Sequence, residues 1–220
     1  MVGQVIERML DYSDYFKVSN PNCRLVDLGK LYLPSGRLYC CDPFLSDEVA
    51  PLRMTVPPGH YDVQLSIASS PDWGPRVALG GLIISAEQPA GWDEASYQID
   101  HESAAGFRVD AGLACFMDAE TQQLFEKVFE DFYAQNPNDN YYDAILASEF
   151  KKNAEPGSPR KDGDWLMHYP VAGDERNIAM FATGFGDGYY VAYWGLDQSQ
   201  RPAMLVADFE LFSEQDTNEG

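Results

Sequence analysis

Basic residues are scarce in this chain of 220 residues. Lysine and arginine number 15 against 35 aspartates and glutamates, which gives a formal net charge of −20. Nucleic acids and anionic membrane surfaces bind proteins through a basic face, so this balance argues against both as partners. An acidic surface instead attracts a basic protein or cations. The composition therefore predicts a protein partner, with no nucleic acid and no membrane.

Histidine and cysteine are also few. The three histidines and four cysteines include no C-x-x-C pair, and adjacent Cys40 and Cys41 would point to opposite faces of a strand. A structural zinc site and a resident cofactor are therefore not expected. The chain also lacks an apolar run of signal-peptide or transmembrane length, so we expect reduced thiols and a cytoplasmic location.

Signatures of known catalytic and nucleotide-binding loops are missing as well. The sequence has no P-loop, no G-x-G-x-x-G that leads into a helix, no G-x-S-x-G and no H-E-x-x-H. Hydrophobic residues make up 45% of the chain and aromatic residues 13%, which is enough for a core and argues against overall disorder. We predict one domain over residues 1–212, followed by an acidic, disordered tail over residues 213–220.

Alternating apolar and polar residues predict a mostly antiparallel β-sheet core. Residues 29–33 and 37–41 are typical of a hairpin around Pro34-Ser35-Gly36. Residues 59–68 alternate with the period of a half-buried strand and are expected to pair with strands on both sides along the chain. Those neighbours are residues 51–56 and 76–86. The last quarter predicts four meandering strands, at residues 165–171, 177–183, 189–196 and 202–211.

Two helices are predicted between the strand-rich halves. Asp118 is placed as the N-cap of the first, apolar residues at helical spacing follow it, and Asn136-Pro137 ends it. The second is expected from Tyr141 to Asn153, and a short helical pattern also covers residues 2–10. Strands, then two central helices, then strands predict an α+β fold in a single domain.

The most unusual segment is a glycine-rich turn around Asp187 that runs into an aromatic strand. Glycine is used where the backbone needs a positive φ or where another group must come close, so Gly186 or Gly188 is predicted to have a positive φ. The aromatic residues either form an exposed patch for a partner or lie half in the core. This segment supplies the candidate binding residues Gly186, Asp187, Gly188, Tyr189, Tyr193 and Trp194.

Several aspartates lie at strand ends or in turns, and they allow two interpretations. Converging carboxylates could hold Ca²⁺ or Mg²⁺, with Asp110 and Asp187 as candidate ligands. With His60, the same two acids are candidate catalytic groups. Alternatively, each acid caps a turn or a helix through backbone amides. Asp42 and Asp208 are further candidate binding residues.

Cys115 and His60 offer a second catalytic possibility, a thiol nucleophile with a histidine base. The flanking residues Ala114 and Phe116 are apolar, and an apolar setting raises a thiol pKa and makes the thiol inert. The alternative is a buried cysteine that serves only as part of the core.

A set of short motifs occurs along residues 28–209. In order they are Leu28-Gly29-Lys30-Leu31, Leu33-Pro34-Ser35-Gly36, Cys41-Asp42-Pro43, Pro57-Pro58-Gly59-His60-Tyr61, Val109-Asp110-Ala111-Gly112, Cys115-Phe116-Met117-Asp118, Gly184-Phe185-Gly186-Asp187-Gly188, Tyr193-Trp194-Gly195 and Val206-Ala207-Asp208-Phe209. This series resembles a largely bacterial domain-of-unknown-function family, number 4241, over roughly Leu25 to Leu211. Some members of that family occur in bacterial genomes near secreted-toxin and defence genes, so the resemblance implies an immunity or antitoxin role.

The sequence therefore predicts a non-catalytic, acidic protein-binding domain. Its most concrete form is a bacterial immunity protein that neutralises a basic toxin such as a nuclease, because an acidic surface steers a basic partner at high rate. The alternative is a hydrolase that uses a carboxylate cluster, with or without a divalent cation.

Overall fold

The computed structural model describes residues 10–99, 102–156, 158 and 160–212. These residues form one α+β domain built mostly from antiparallel sheet, as predicted. The tail predicted at 213–220 lies outside them, as does the helix predicted at 2–10 except for its last residue.

The described residues form strands and helices with the following bounds. The strands are β1 (Arg24–Leu33), β2 (Leu38–Cys41), β3 (Gly59–Ser70), β4 (Gly74–Ile83), β5 (Gly91–Glu94), β6 (Ser96–Ile99), β7 (Glu102–Ala105), β8 (Phe107–Val109), β9 (Leu113–Asp118), β10 (Trp165–His168), β11 (Ile178–Ala182), β12 (Gly188–Leu196) and β13 (Pro202–Asp208). The α-helices are α1 (Ala119–Gln135) and α2 (Ala147–Phe150), and α2 is preceded by a π-helical turn (Tyr142–Leu146). Short 3₁₀ turns are found at Tyr12–Phe16, Pro43–Leu45 and Lys151–Asn153.

Two antiparallel sheets make up most of the domain. The larger has the strand order β1-β3-β4-β13-β12-β5, and β8 also pairs with β12. The smaller has the order β10-β11-β9-β2, while β6 and β7 pair with each other. The pairing of β3 with β4 confirms the hairpin predicted there.

The smaller sheet lies between the larger sheet and the helices. On β9, Ala114 and Phe116 face the core shared with the larger sheet, whereas Cys115 faces the core shared with α1 and the segment around α2. Cys40 and Cys41 divide in the same way, as predicted for neighbours on a strand. A third cluster joins the outer face of the larger sheet to the Tyr12–Phe16 turn.

The hairpin predicted for residues 29–41 does not form. Both segments are strands, but β1 pairs with β3 in the larger sheet and β2 pairs with β9 in the smaller one. The Ser35-Gly36 corner between them is held by Asp118, whose carboxylate accepts hydrogen bonds from both backbone N–H groups at 3.0 Å. The corner thus carries the chain from one sheet to the other instead of reversing it within one.

Two other strand predictions need correction. Residues 51–56 form no strand, and only Leu52 makes an isolated bridge, to Tyr97. The last four strands exist but do not form one meander, because β10 and β11 belong to the smaller sheet and β12 and β13 to the larger. The glycine-rich turn after β11 is therefore another place where the chain crosses between the two sheets.

The helices agree with the sequence pattern. Asp118 is the N-cap of α1 and accepts a hydrogen bond from Glu120 N at 2.8 Å, and α1 ends before Asn136. The second helical segment runs from the π-helical turn through α2 to the final 3₁₀ turn. No helix in the described part of the chain has both the length and the apolarity needed to cross a membrane.

A buried histidine ties the second helical segment to β10. His168 Nε2 lies 3.1 Å from Tyr141 Oη, and His168 Nδ1 lies 2.8 Å from Glu149 Oε2. Burial lowers the pKa of His168, although the hydrogen bond and charge of Glu149 act in the opposite direction. Burial also raises the pKa of Tyr141 to about 12, so its hydroxyl stays protonated at neutral pH.

This histidine is expected to make folding stability fall at acid pH. Because its pKa is lower in the native state, the unfolded chain binds more protons once the pH drops below about 6.5, and unfolding is then favoured. Burial raises the pKa of Asp164 and Asp208, so these two carboxyl groups make the folded state more stable as the pH falls. Urea denaturation midpoints of wild type and His168→Gln at pH 7 and pH 5 isolate the contribution of the histidine. Between pH 7 and pH 5, wild type should lose more stability than His168→Gln. Equal losses would contradict the prediction.

Candidate functional site

The glycine-rich turn is rigidly held by its own hydrogen bonds. Gly184 and Gly186 have φ values of +52° and +114°, which confirms the positive φ predicted for one of the two glycines that flank Asp187. Gly186 N donates to the Thr183 carbonyl at 2.7 Å, and Thr183 Oγ1 donates back to the Gly186 carbonyl at 2.7 Å. Tyr190 Oη donates to the same carbonyl at 2.8 Å, so the turn has a fixed shape.

This turn projects Phe185 from the surface with 63% of the residue exposed. The Phe185 ring packs edge-on against Trp73 with ring centroids 5.9 Å apart. The Arg76 guanidinium lies 4.6 Å from the Phe185 ring centroid, and its Nη1 donates to the Gly184 carbonyl at 2.9 Å. We call Trp73, Arg76, Phe185, Asp187 and Tyr189 the Phe185 tip.

Asp187 and Tyr189 follow Phe185 closely in the chain, and both are exposed. The Asp187 carboxylate makes no hydrogen bond or ion pair with residues that the structure describes, so the turn is not capped by Asp187 but by Thr183 and Tyr190. Tyr189 is 61% exposed, and its hydroxyl donates to the Ala105 carbonyl. Gly186, Asp187, Gly188 and Tyr189 adjoin in the chain, and their role in binding stays a prediction.

Three other predicted binding residues lie elsewhere. Trp194 is 2% exposed and packs in the core between the sheets, so it is not on the binding surface assigned to it. Tyr193 stacks on Tyr12 with ring centroids 5.0 Å apart. Tyr12 Oη donates to Asp208 Oδ2 at 2.9 Å, so Tyr193 and Asp208 anchor the Tyr12–Phe16 turn and contribute nothing to the Phe185 tip.

Asp42 has a structural role that also shapes a nearby cleft. Its carboxylate is fully buried; Oδ1 accepts from Phe44 N, and Oδ2 accepts from the N–H groups of Asp110 and Ala111, each at 2.9 Å. The capping alternative is therefore the one that fits Asp42. Asp110 itself is exposed, and its Oδ1 lies 3.0 Å from Arg108 Nη2.

His60 is not brought near Asp110 or Asp187. It stacks on Tyr32 at the start of β3, with ring centroids 4.5 Å apart. The Phe185 tip joins the opposite end of the β3–β4 hairpin, where Gly184 N donates to the Val77 carbonyl. The proposed catalytic group of one histidine and two acids is therefore not assembled.

Cys115 is an inert core residue. It is fully buried, its Sγ lies 3.9 Å from Cys41 Sγ, and burial raises the pKa of the Cys115 thiol. Among the described residues, no group of three or more His, Cys, Asp or Glu side chains is placed to hold a metal ion. Asp110 and Asp187 thus have no third ligand of these types within that part of the chain.

A cleft of about 440 Å³ lies beside the Phe185 tip. The helices form one side of it, and the turns at Phe44 and at Asp110-Ala111, which Asp42 holds together, form the other. Its aromatic lining comes from Phe44, Phe129, Tyr133 and Tyr142, and its charged lining from Asp42, Asp110, Asp143 and Arg160. We call it the acidic cleft.

The acidic cleft and the Phe185 tip adjoin at Gly112. Arg160 Nη1 donates to the Gly112 carbonyl at 3.0 Å. A Cβ placed at Gly112 would lie 3.2 Å from Arg160 Nη1 and 3.8 Å from Asp187 Oδ1. Arg160, which lines the cleft, and Asp187, which belongs to the tip, therefore flank the same backbone position, and the two features form one continuous surface.

The family of this chain follows from a match over most of its length. The family model described as Protein of unknown function (DUF4241) matches residues 31–207. The chain belongs to this family. No curated protein and no solved structure matches it. The matched range contains Phe185, Asp187 and the whole lining of the acidic cleft, which confirms the family resemblance but assigns no activity to either feature.

Phe185, Asp143 and Arg160 were not among the site residues predicted from the sequence. Phe185 carried a usable signal, because a large apolar side chain between two glycines of a turn has no strand or helix face on which to be buried. Asp143 and Arg160 carried none, since each is one charged residue among many in the sequence. They gain their place only through the packing of α1 and the second helical segment against the Asp42 turns.

Proposed function

We propose that this chain is a non-catalytic protein-binding domain that neutralises a basic protein. In its most concrete form it is a bacterial, cytoplasmic immunity protein for a basic toxin. The observation that carries the proposal is Phe185, a large aromatic side chain held exposed on a rigid turn of a chain with net charge −20.

The tip has the features of an energetic centre in a protein interface. Aromatic and arginine side chains dominate binding hot spots, and the tip packs Phe185 against Trp73 and Arg76. Tyr189 adds an exposed aromatic side chain four residues after Phe185. Hydrogen bonds already hold this turn in one conformation, so the turn loses little conformational entropy when a partner binds. The net negative charge of the chain then speeds the encounter with a basic partner, and salt weakens this effect.

The proposal predicts that Phe185→Ala weakens partner binding by about 2 kcal/mol, or roughly thirtyfold, while stability changes by less than about 0.5 kcal/mol. Tyr169→Ala is the matched control, because Tyr169 is another exposed aromatic residue, at 51%, outside the tip. Binding is measured by calorimetry on a protein captured from the source cell, and stability by thermal melting. Equal effects of the two substitutions would contradict a role for the tip.

The captured protein itself must meet further conditions. It has to be basic, its association rate has to fall as ionic strength rises, and its toxicity has to be suppressed when both chains are co-expressed. A partner that binds with no dependence on salt would remove the electrostatic part of the proposal. A partner with unchanged toxicity would remove the immunity function.

The hydrolase remains a second proposal, supported only by Asp110 and Asp187 lying on one continuous surface. Its test is thermal melting of wild type and Asp187→Ala with and without millimolar Ca²⁺ or Mg²⁺. A bound cation stabilises the folded state by mass action, so a cation site predicts a higher melting temperature in wild type alone. Identical melts in all conditions would remove the cation-dependent hydrolase.

A further inference from the structure

We infer that the acidic cleft binds a lysine or arginine side chain of the protein partner. That the ligand belongs to a protein partner rests on the proposed function. That it is a cationic side chain follows from the lining of the cleft alone. The cleft lies directly beside the Phe185 tip, so one partner can contact both.

The cleft has room for a long basic side chain. Its volume of about 440 Å³ is in the range of ligand pockets and exceeds the space that one side chain needs. Phe44, Phe129, Tyr133 and Tyr142 supply an apolar and aromatic lining. Lysine and arginine have apolar stems that pack on such surfaces, and their cationic ends are attracted to aromatic faces.

The charges of the cleft favour a cation. Three aspartates line the cleft against Arg160, and Arg108 pairs with one of them, so carboxylates still outnumber guanidinium groups and an anionic ligand is disfavoured. Asp42 is already occupied by three backbone N–H groups, and Asp110 pairs with Arg108.

Asp143 is the carboxylate that remains for a ligand. It is exposed, and its side chain makes no hydrogen bond or ion pair with any other residue in the described ranges. Its neighbour Tyr142 contributes to the aromatic lining of the same cleft. A cation that enters along the aromatic side chains thus finds an unpaired negative charge, and Asp143 is the residue on which its recognition depends.

The test uses small probes instead of the unknown partner. ¹⁵N-labelled protein is titrated with Nα-acetyl-lysine methylamide, with the arginine analogue, and with the uncharged norleucine analogue. Saturable shifts centred on the amides of Phe129, Tyr133, Tyr142 and Asp143 are expected for the two basic probes, with at least threefold weaker binding of norleucine. Shifts that are absent, spread over the surface, or equal for norleucine would overturn the inference.

Two variants separate recognition in the cleft from general attraction to an acidic protein. Asp143→Asn should raise the dissociation constant of the basic probes about threefold to tenfold. Asp131→Asn removes the same charge from an exposed position of α1 that does not line the cleft, and should change it less than twofold. Equal losses in both variants would overturn the inference.

The same experiments keep the two proposals distinguishable. If the basic probes bind the cleft but no basic protein depends on Phe185, the proposed function fails while the chemistry of the cleft stands. If Phe185 carries the binding of a basic protein and Asp143→Asn behaves like Asp131→Asn, the proposed function stands and the inference about the cleft fails.

Discussion

Gly36→Ala is expected to destabilise the domain by about 3–5 kcal/mol, close to the limit of what a single substitution does. Gly36 has a φ of +70°, and a Cβ built there would lie 1.9 Å from the carbonyl oxygen of Val56. The obstacle is backbone, so no side-chain rotation relieves it. Moving Val56 away would also break the hydrogen bond from Val56 N to the Gly36 carbonyl, which is 3.0 Å long.

Gly173→Ala is the matched control for this prediction. Gly173 has a similar φ of +83°, but nothing lies within 4 Å of a Cβ placed on it. Its substitution should therefore cost only the left-handed backbone penalty of about 1–2 kcal/mol. Urea denaturation followed by circular dichroism gives both values. If both variants lose the same free energy of unfolding, the contact between the new Cβ and Val56 costs nothing and the prediction is wrong.

Asp118→Ala is expected to have an effect of similar size, about 3–5 kcal/mol. The carboxylate is fully buried and accepts four hydrogen bonds, from Ser35 N, Ser35 Oγ, Gly36 N and Glu120 N, at 2.7 to 3.0 Å. Removing it leaves these donors without their acceptor at the point where α1 begins and the chain passes between the sheets. Each unsatisfied buried donor costs about 1–3 kcal/mol.

Two further variants show whether the hydrogen bonds are responsible. Asp118→Asn keeps one side-chain oxygen as acceptor and should lose clearly less stability than Asp118→Ala. Asp62→Ala removes an exposed carboxylate that pairs with Lys30 at 2.7 Å, and should cost less than about 1 kcal/mol. Urea midpoints provide the comparison. A loss in Asp118→Ala no larger than in Asp62→Ala would contradict the assigned role.

Both predictions concern the corner that the sequence pattern misplaced. Residues 29–41 have every local feature of a hairpin, including a Pro-Ser-Gly turn between two apolar segments. The turn instead contacts Asp118, a residue more than 80 positions away, which satisfies its backbone donors. A contact of that range leaves no mark in the local pattern, so the sequence could not distinguish a reversal within one sheet from a passage between two.

The candidate site shows the same division. A positive φ at one of the two glycines beside Asp187 was predictable, because glycine adopts it without strain, and the structure shows that it is Gly186. The aromatic residues of β12 allowed either an exposed patch or a half-buried set, and the sequence did not say which of them would be buried. Placing Trp194 in the core and Tyr189 on the surface depends on which face of β12 meets the smaller sheet.

By itself, the sequence determined the α+β class, the Asp118 cap, a positive φ at one of the two glycines that flank Asp187, and the strong negative charge. These follow from periodicity, capping chemistry, steric freedom and composition, which act over a few residues or over the whole chain. Only the tertiary structure decided which strands pair, that Phe185 is the exposed anchor, and that Asp110 and Asp143 line one cleft. The reason is physical: a strand's alternation specifies its faces but not its neighbours, and a cleft forms where segments distant in sequence pack together.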